Sequence, residues 1–259
     1  SARGIQTQVK TAINNVPSSA TSAVMFGIRT LTGDASPDNE GGFRPVSIYF
    51  PKGSIVNPYF PAPVASRSVS LRRVVDVILG VLSKALPQKY PAANCGQASV
   101  IYCGTTNELN NETIVGAIGG PWMGGMGARP NKDGIDATDH DASNVYHVPL
   151  EVSEAELPIR FNRMELWMDS GGAGKWRGGL GFYSEVEWLK GKAGASLRRD
   201  RHKFKPWGLA GGHSGPECST ALKRKHSKSK AIAGKSQIEL RAGDILQLWT
   251  TGSGGHSNP

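Results

Sequence analysis

Residues 169–181 read DSGGAGKWRGGLG, and six of these thirteen residues are glycine. Glycine is used this densely where the backbone must turn with positive φ or come unusually close to another surface. That excludes a helix or a regular strand across the block. Asp169, Lys175 and Arg177 stand among the glycines, which invites comparison with a phosphate loop. The comparison fails. Such a loop needs glycine, four residues and then Gly-Lys-Ser/Thr, whereas Asp169 occupies the first glycine position and Trp176 follows Lys175. The spacing reads instead as a structural glycine turn between two strands. The chain as a whole carries 33 glycines in 259 residues without a three-residue repeat. That is nearly twice the usual share of about 7%, so many turns and short strands are expected.

Periodicity divides the chain unevenly. Residues 2–14 and 19–31 have helical patterning, separated by Pro17, with Ser18 or Ser19 placed to cap the second helix. The alternation of Val46, Ile48 and Phe50 predicts a short strand over 43–50, and the prolines of 51–63 exclude a central strand there. The clearest helix spans residues 70–86. Leu71, Val74, Val75, Ile78, Val81, Leu82 and Ala85 form its apolar face, and Pro87 stops it. Beyond residue 98 short runs at 98–102, 114–118, 157–167 and 182–188 read as strands. Residues 238–240 and 245–249 read as a closing hairpin turned at 241–244. A helical N-terminal third followed by a glycine-rich, β-rich region is an α+β chain, with the change placed near residue 92. The expected segments are thus 1–91 and 92–259.

Net charge is +9. Residues 151–259 hold 18 Lys/Arg against 11 Asp/Glu, and the excess concentrates at 198–205 and 223–230. No aromatic residue interleaves the second run, which reads as a solvated hairpin loop, so docking to an acidic partner subunit is favoured over nucleic acid. No apolar run approaches the roughly 18 residues of a membrane span. Cys95, Cys103 and Cys218 contain no Cys-x-x-Cys pair and read as plain thiols of a reducing, cytoplasmic protein.

Four groups carry chemistry-bearing side chains. Asn39, Glu40 and Arg44 stand on a loop, and Arg44 has the fork that clamps a carboxylate or phosphate, unless it ties its loop to Asp38 or Glu40. Residues 124–130 offer glycine backbone with Arg129, and Asp133 follows as an orienting acid or as the partner that pins Arg129. Asp136, Asp139, His140, Asp141 and His147 form an acid/imidazole group. Their adjacency leaves no set geometry for a metal, and a solvated acidic loop is the plainer reading. Lys175 and Arg177, with Asp169, face either a cleft, where they would stabilise an anion, or a partner subunit, which is the favoured reading. His202, His213, His226 and His256 belong to no triad pattern, and no Gly-x-Ser-x-Gly elbow is present.

Ordered motifs join these groups. PDNEGGFRP (37–45), PKGSIVNP (51–58), PAP (61–63) with Arg67, GGMGARP (124–130), the 169–181 block and PWGLAGG (206–212) follow one another along the chain. Together they resemble the hydantoinase B family over nearly the whole sequence, from about Asn14 to Pro259. The resemblance implies a chain like the C-terminal half of those proteins, a reading in keeping with the absence of an initiator methionine. It implies work in a hetero-oligomer with a larger hydantoinase A-type ATPase subunit, and a chain inactive alone. ATP and Mg²⁺ or Mn²⁺ are implied for that complex, the nucleotide on the partner and the metal ligands upstream of this chain. The implied reaction is ATP-dependent hydrolysis of a small cyclic amide such as a hydantoin, oxoproline or lactam. An acetophenone-type carboxylase subunit and a non-catalytic assembly subunit are the alternatives. The ending at 252–259, GSGGHSNP, is a weakened form of the family's glycine-rich terminus.

Overall fold

The computed structural model describes residues 4–33, 39–97, 99–106, 112–118 and 122–259. Residues 2 and 3, Asp38 and Ala98, which enter the expectations above, lie outside them. The chain separates into two compact units, Ser1–Lys84 and Ala85–Pro259.

The first unit is helical. Helix α1, Pro17–Thr32, starts with proline at its first turn, where the missing N–H costs nothing, and Gly33 closes it at φ 65°. Val16 occupies the N-cap position without a side-chain hydrogen bond, so the expected serine cap is not used. Helix α2, Arg67–Ala85, covers the second expected helix. The two meet through small residues: a Cβ on Gly27 would lie 2.3 Å from Ile78 Cγ2. Only Val75 of the predicted apolar face of α2 is fully buried, and Val81 projects into solvent. Two expectations are overturned here. Residues 4–14 are irregular, pinned by Asn14, whose amide donates to the carbonyls of Val9, Thr11 and Pro63 and so competes with helical pairing. Residues 43–50 form no strand; a single 3-10 turn, Glu40–Phe43, precedes chain without regular secondary structure.

The second unit is two antiparallel sheets sharing one core. Strands β1 (Val100–Thr106), β2 (Thr113–Ala117), β5 (Lys192–Arg198) and β8 (Lys235–Arg241) make a sheet ordered β2-β1-β5-β8. Strands β3 (Ile159–Leu166), β4 (Phe182–Trp188), β6 (Ser219–Lys223), β7 (Ser229–Ala231) and β9 (Ile245–Trp249) make the other, ordered β3-β4-β9-β6-β7. A short helix α3, Leu150–Glu156, precedes β3. Ile101, Leu197 and Leu240 from the first sheet and Ile159, Val186, Trp188, Leu246 and Leu248 from the second build the core, each fully buried. Each such aliphatic side chain contributes roughly 1.5–3 kcal/mol. The predicted 238–249 hairpin does not form. The turn exists, with Asp244 N donating to Arg241 O, but β8 pairs with β5 and β9 with β4 and β6, so the chain crosses between sheets at that turn. The lysine run does form a hairpin: β6 pairs with β7 around an exposed turn. The helix-then-strand order gives an α+β chain, as expected.

Register places the glycine-rich segments together. The end of β3, the start of β4, the end of β9 and the start of β6 all lie at one end of the second sheet, since Leu166 pairs with Phe182, Tyr183 with Trp249, and Ser219 with Trp249. The connections 167–181, 199–218 and 250–259 therefore leave from the same place.

Candidate functional site: a glycine braid carrying an arginine–aspartate rim

At that end the three connections interlace with residues 122–137, with little side chain between them. A Cβ on Gly179 would lie 1.9 Å from Ile135 O, one on Gly178 2.2 Å from Ser253 O, one on Gly172 2.1 Å from His213 O, and one on Gly254 1.9 Å from Trp207 O. Backbone carbonyls thus occupy the space that any other residue would need. Hydrogen bonds cross the same contacts: Ser253 N to Gly179 O (3.0 Å), Gly254 N to Ala93 O (2.8 Å), Gly255 N to His213 O (2.9 Å), and Gly134 N to Arg177 O (2.8 Å). Residues 250–256 are buried and run through the middle of the braid. His256 sits there with Nε2 3.0 Å from Pro87 O and Nδ1 3.0 Å from Ser257 Oγ. The terminal glycines, a weakened ending by sequence, carry the braid.

The rim of the braid gathers three of the predicted residues. Arg177 forms a bidentate pair with Asp136 (2.7 and 3.0 Å), its backbone N–H donates to Asp133 (2.8 Å), and Asp136 also accepts from Leu180 N (2.8 Å). The Arg177 guanidinium holds the Asp136 carboxyl below the usual carboxylate range, and Asp136 raises Arg177 in return. Arg129 reaches from the facing loop and donates to Asp133 O at 3.5 Å, a long contact. Lys175 is exposed, 5.9 Å above the Trp176 ring. Asp169 is exposed at φ 60°, at the turn that opens the glycine block. Asn39, Glu40 and Arg44 lie on the 3-10 turn of the first unit and are exposed.

The acid/imidazole group disperses. Asp136 turns to Arg177, Asp139 accepts the N–H groups of His140 and Val145, and Asp141 accepts from the Asn94 amide. Among the described residues no group of three or more His, Cys, Asp or Glu is placed to hold a metal ion. These residues do not fit a metal, and no step is assigned to one here. No helix among them is long and apolar enough to cross a membrane.

The basic run 198–205, read from sequence as docking charge, is partly interior. Arg199 is 1% exposed and Arg201 6%. Arg199 donates to Ser219 O (2.7 Å), Trp249 O (2.8 Å), Cys218 Sγ (3.1 Å) and the Thr220 hydroxyl, with no carboxylate partner among the described residues. Burial lowers its pKa. Arg201 donates to Cys95 O and Asn94 O and stacks 5.6 Å over Trp207. The two-residue alternation that carries β5 inward at Leu197 and on to Arg199 was the available signal.

The fold of this chain is shared with two solved enzymes. An ATP-dependent caprolactamase from Pseudomonas jessenii superposes with TM-score 0.83 at 24% identity, covering 98% of this chain and 45% of that one. An acetone carboxylase in nucleotide-free form superposes with TM-score 0.80 at 18% identity, covering 95% of this chain and 38% of that one. Both likenesses are of fold. In sequence, residues 2–259 match the model of the Hydantoinase B/oxoprolinase family, and the chain belongs to that family. The putative B-type subunit of a D-/L-hydantoinase from Pseudomonas sp. is 33% identical over 245 residues, 92% of this chain. This chain spans only 40% of that relative's length.

Proposed function

We propose that this polypeptide is a subunit, or the C-terminal half of one, of an ATP-dependent cyclic-amide hydrolase, acting with a hydantoinase A-type ATPase subunit. The observation that carries the reading is the 33% identity to a B-type hydantoinase subunit across nearly the whole chain. The caprolactamase fold likeness points the same way. In such an enzyme ATP activates the amide oxygen so that water can open the ring. ATP and Mg²⁺ or Mn²⁺ are assigned to the rest of a cytoplasmic complex, the nucleotide to the ATPase subunit, and this chain is inactive without it.

The part left to this chain is positional. The braid fixes Arg177, Asp133, Arg129, Lys175 and Asp169 on backbone that cannot yield, and the glycine contacts hold that rim against the substrate or the partner. Asn39, Glu40 and Arg44, exposed on the first unit, are proposed as further substrate or subunit contacts. Asp136 keeps the Arg177 guanidinium oriented and partly neutralised, which suits an interface or an orienting role more than a free anion hole.

The test uses the complex with its native partner, ATP, Mg²⁺ or Mn²⁺, labelled bicarbonate, and a panel of lactams, hydantoins and ketones. Ring opening with ATP consumed and no label fixed is the expected result. Label in an acid-stable product would instead establish the carboxylase reading, which the fold likeness to acetone carboxylase favours. Turnover unchanged in Lys175→Ala and Arg177→Lys complexes would leave the chain an assembly subunit.

A further inference from the structure

The first unit buries little and displays much. Its fully buried hydrophobic side chains among the described residues are Ala20, Ala23, Val56 and Val75, while Tyr49, Tyr59, Phe60, Val77 and Val81 are exposed. Phe60 is the extreme, 98% exposed, with Tyr59 beside it at 58%.

This exposure sits on a tightly pinned loop. Gly53 N donates to Asn57 O (2.8 Å), Asn57 Nδ2 to Phe50 O (3.0 Å), and Ser54 Oγ to Pro51 O (2.6 Å). Tyr59 N donates to Gln8 Oε1 (2.6 Å), and Gln8 N to Gly53 O (2.9 Å). The Tyr59 ring lies against Gly53, at φ 77°, so closely that a Cβ there would be 2.7 Å from Cε2. Prolines 58, 61 and 63 remove further freedom. Such a loop has already lost the entropy that docking would otherwise consume, and a preorganised aromatic is the usual anchor of a protein interface.

The occupant follows from chain length. This fold makes up 45% of the caprolactamase chain and 40% of the B-type hydantoinase subunit, so in its relatives it coexists with a larger stretch of the same polypeptide. We propose that the Tyr59–Phe60 loop is a docking anchor, with Phe60 inserted into an apolar pocket on that other stretch of B-type polypeptide, whether joined to this chain or separate. The proposal rests on family membership and not on the reaction, so a carboxylase outcome above leaves it standing.

Cys95, Cys103 and Cys218 are all buried, so Phe60→Cys introduces one accessible thiol for an environment-sensitive fluorophore or a maleimide. The probe is the part of the Pseudomonas sp. B-type hydantoinase polypeptide that this chain does not match, titrated as a separate polypeptide. We expect a saturable blue shift of the fluorophore and at least a tenfold slower maleimide reaction in the complex. Phe60→Asp should weaken association about 30-fold, as losing an interface hot spot does. Because Phe60 faces water, that variant keeps the wild-type melting temperature, which separates lost docking from lost folding. Absence of a complex, a complex in which the Phe60→Cys thiol stays as reactive as in the free chain, burial on concentrating this chain alone, or burial only with the ATPase subunit would each overturn the proposal.

Discussion

Glycine-to-alanine substitution should have opposite signs at two positions of the second unit. At Gly179 the new Cβ would lie 1.9 Å from Ile135 O and 3.0 Å from Met126 N. Relief requires the two backbones to part by more than about 1 Å, against an ordinary carbon–oxygen separation above roughly 3 Å. That movement strains Gly179 N to Met126 O (3.0 Å), Met126 N to Ile135 O (2.9 Å) and Ser253 N to Gly179 O (3.0 Å). Weakening these bonds at about 0.5–1.5 kcal/mol each, with overpacking of about 1–3 kcal/mol, gives a loss of roughly 3–7 kcal/mol. At Gly194, in the middle of β5, no atom lies within 4 Å of the place a Cβ would take, and alanine should be neutral or stabilise by up to about 1 kcal/mol. All six tryptophans lie beyond residue 121, so urea unfolding followed by tryptophan fluorescence reports on this unit alone. For Gly179→Ala a fall in melting temperature of about 6–28 °C should accompany it. A Gly179→Ala protein within about 1 kcal/mol of wild type, or a Gly194→Ala protein equally damaged, would refute the view that close backbone approach explains the glycines.

Three further outcomes are expected. Asp136→Ala should cost about 1–2 kcal/mol at pH 7, since it removes a part-exposed bidentate pair and the acceptor for Leu180 N. Asp136 has a lowered folded pKa, so its contribution is complete above the unfolded carboxylate value near 3.9 and disappears as pH falls through the folded one; wild-type and variant stabilities measured from pH 7 down to 2 should converge at the acid end. Arg199→Met should destabilise by about 2–4 kcal/mol, because it removes the donor to Ser219 O, Trp249 O and the buried Thr220 hydroxyl at once; denaturation midpoints equal to wild type would contradict this. Burial pushes the Cys103 thiol up to about 11, and all three cysteines are covered, so Ellman's reagent at pH 8 should titrate almost no thiol in native protein and three after denaturation.

Local signals explain which parts of the fold the sequence revealed. Helix α2 and strands β3, β4 and β9 are long enough to show their period, and the proline that opens α1 and the one after α2 are strong punctuation. The three-residue strand β7 is too short to show a period, and the alternation in β5 is carried mostly by Gly, Ala and Ser, which mark a buried face only weakly. The helix expected near the N-terminus failed because Asn14 offers the backbone other partners, a tertiary fact reaching to Pro63. The closing hairpin failed for a different reason: a turn motif states that the chain bends, and only the competition of two sheets decides which neighbour each strand takes.

For the candidate site the division is similar. Composition along the chain already shows that residues 124–134, 169–181, 206–212 and 252–255 are too rich in glycine for regular structure, and that Arg129, Asp133, Lys175 and Arg177 stand among them. Their order along the chain also carried the family. Only packing brings these four segments together, pairs Asp136 and not the rest of its acidic group with Arg177, and places two arginines of the basic run 198–205 in the interior. The physical reason is range. Glycine content and periodicity act over a few residues, whereas a carbonyl 1.9 Å from an absent Cβ, or a buried guanidinium's partners, belong to segments separated by tens of residues in the chain.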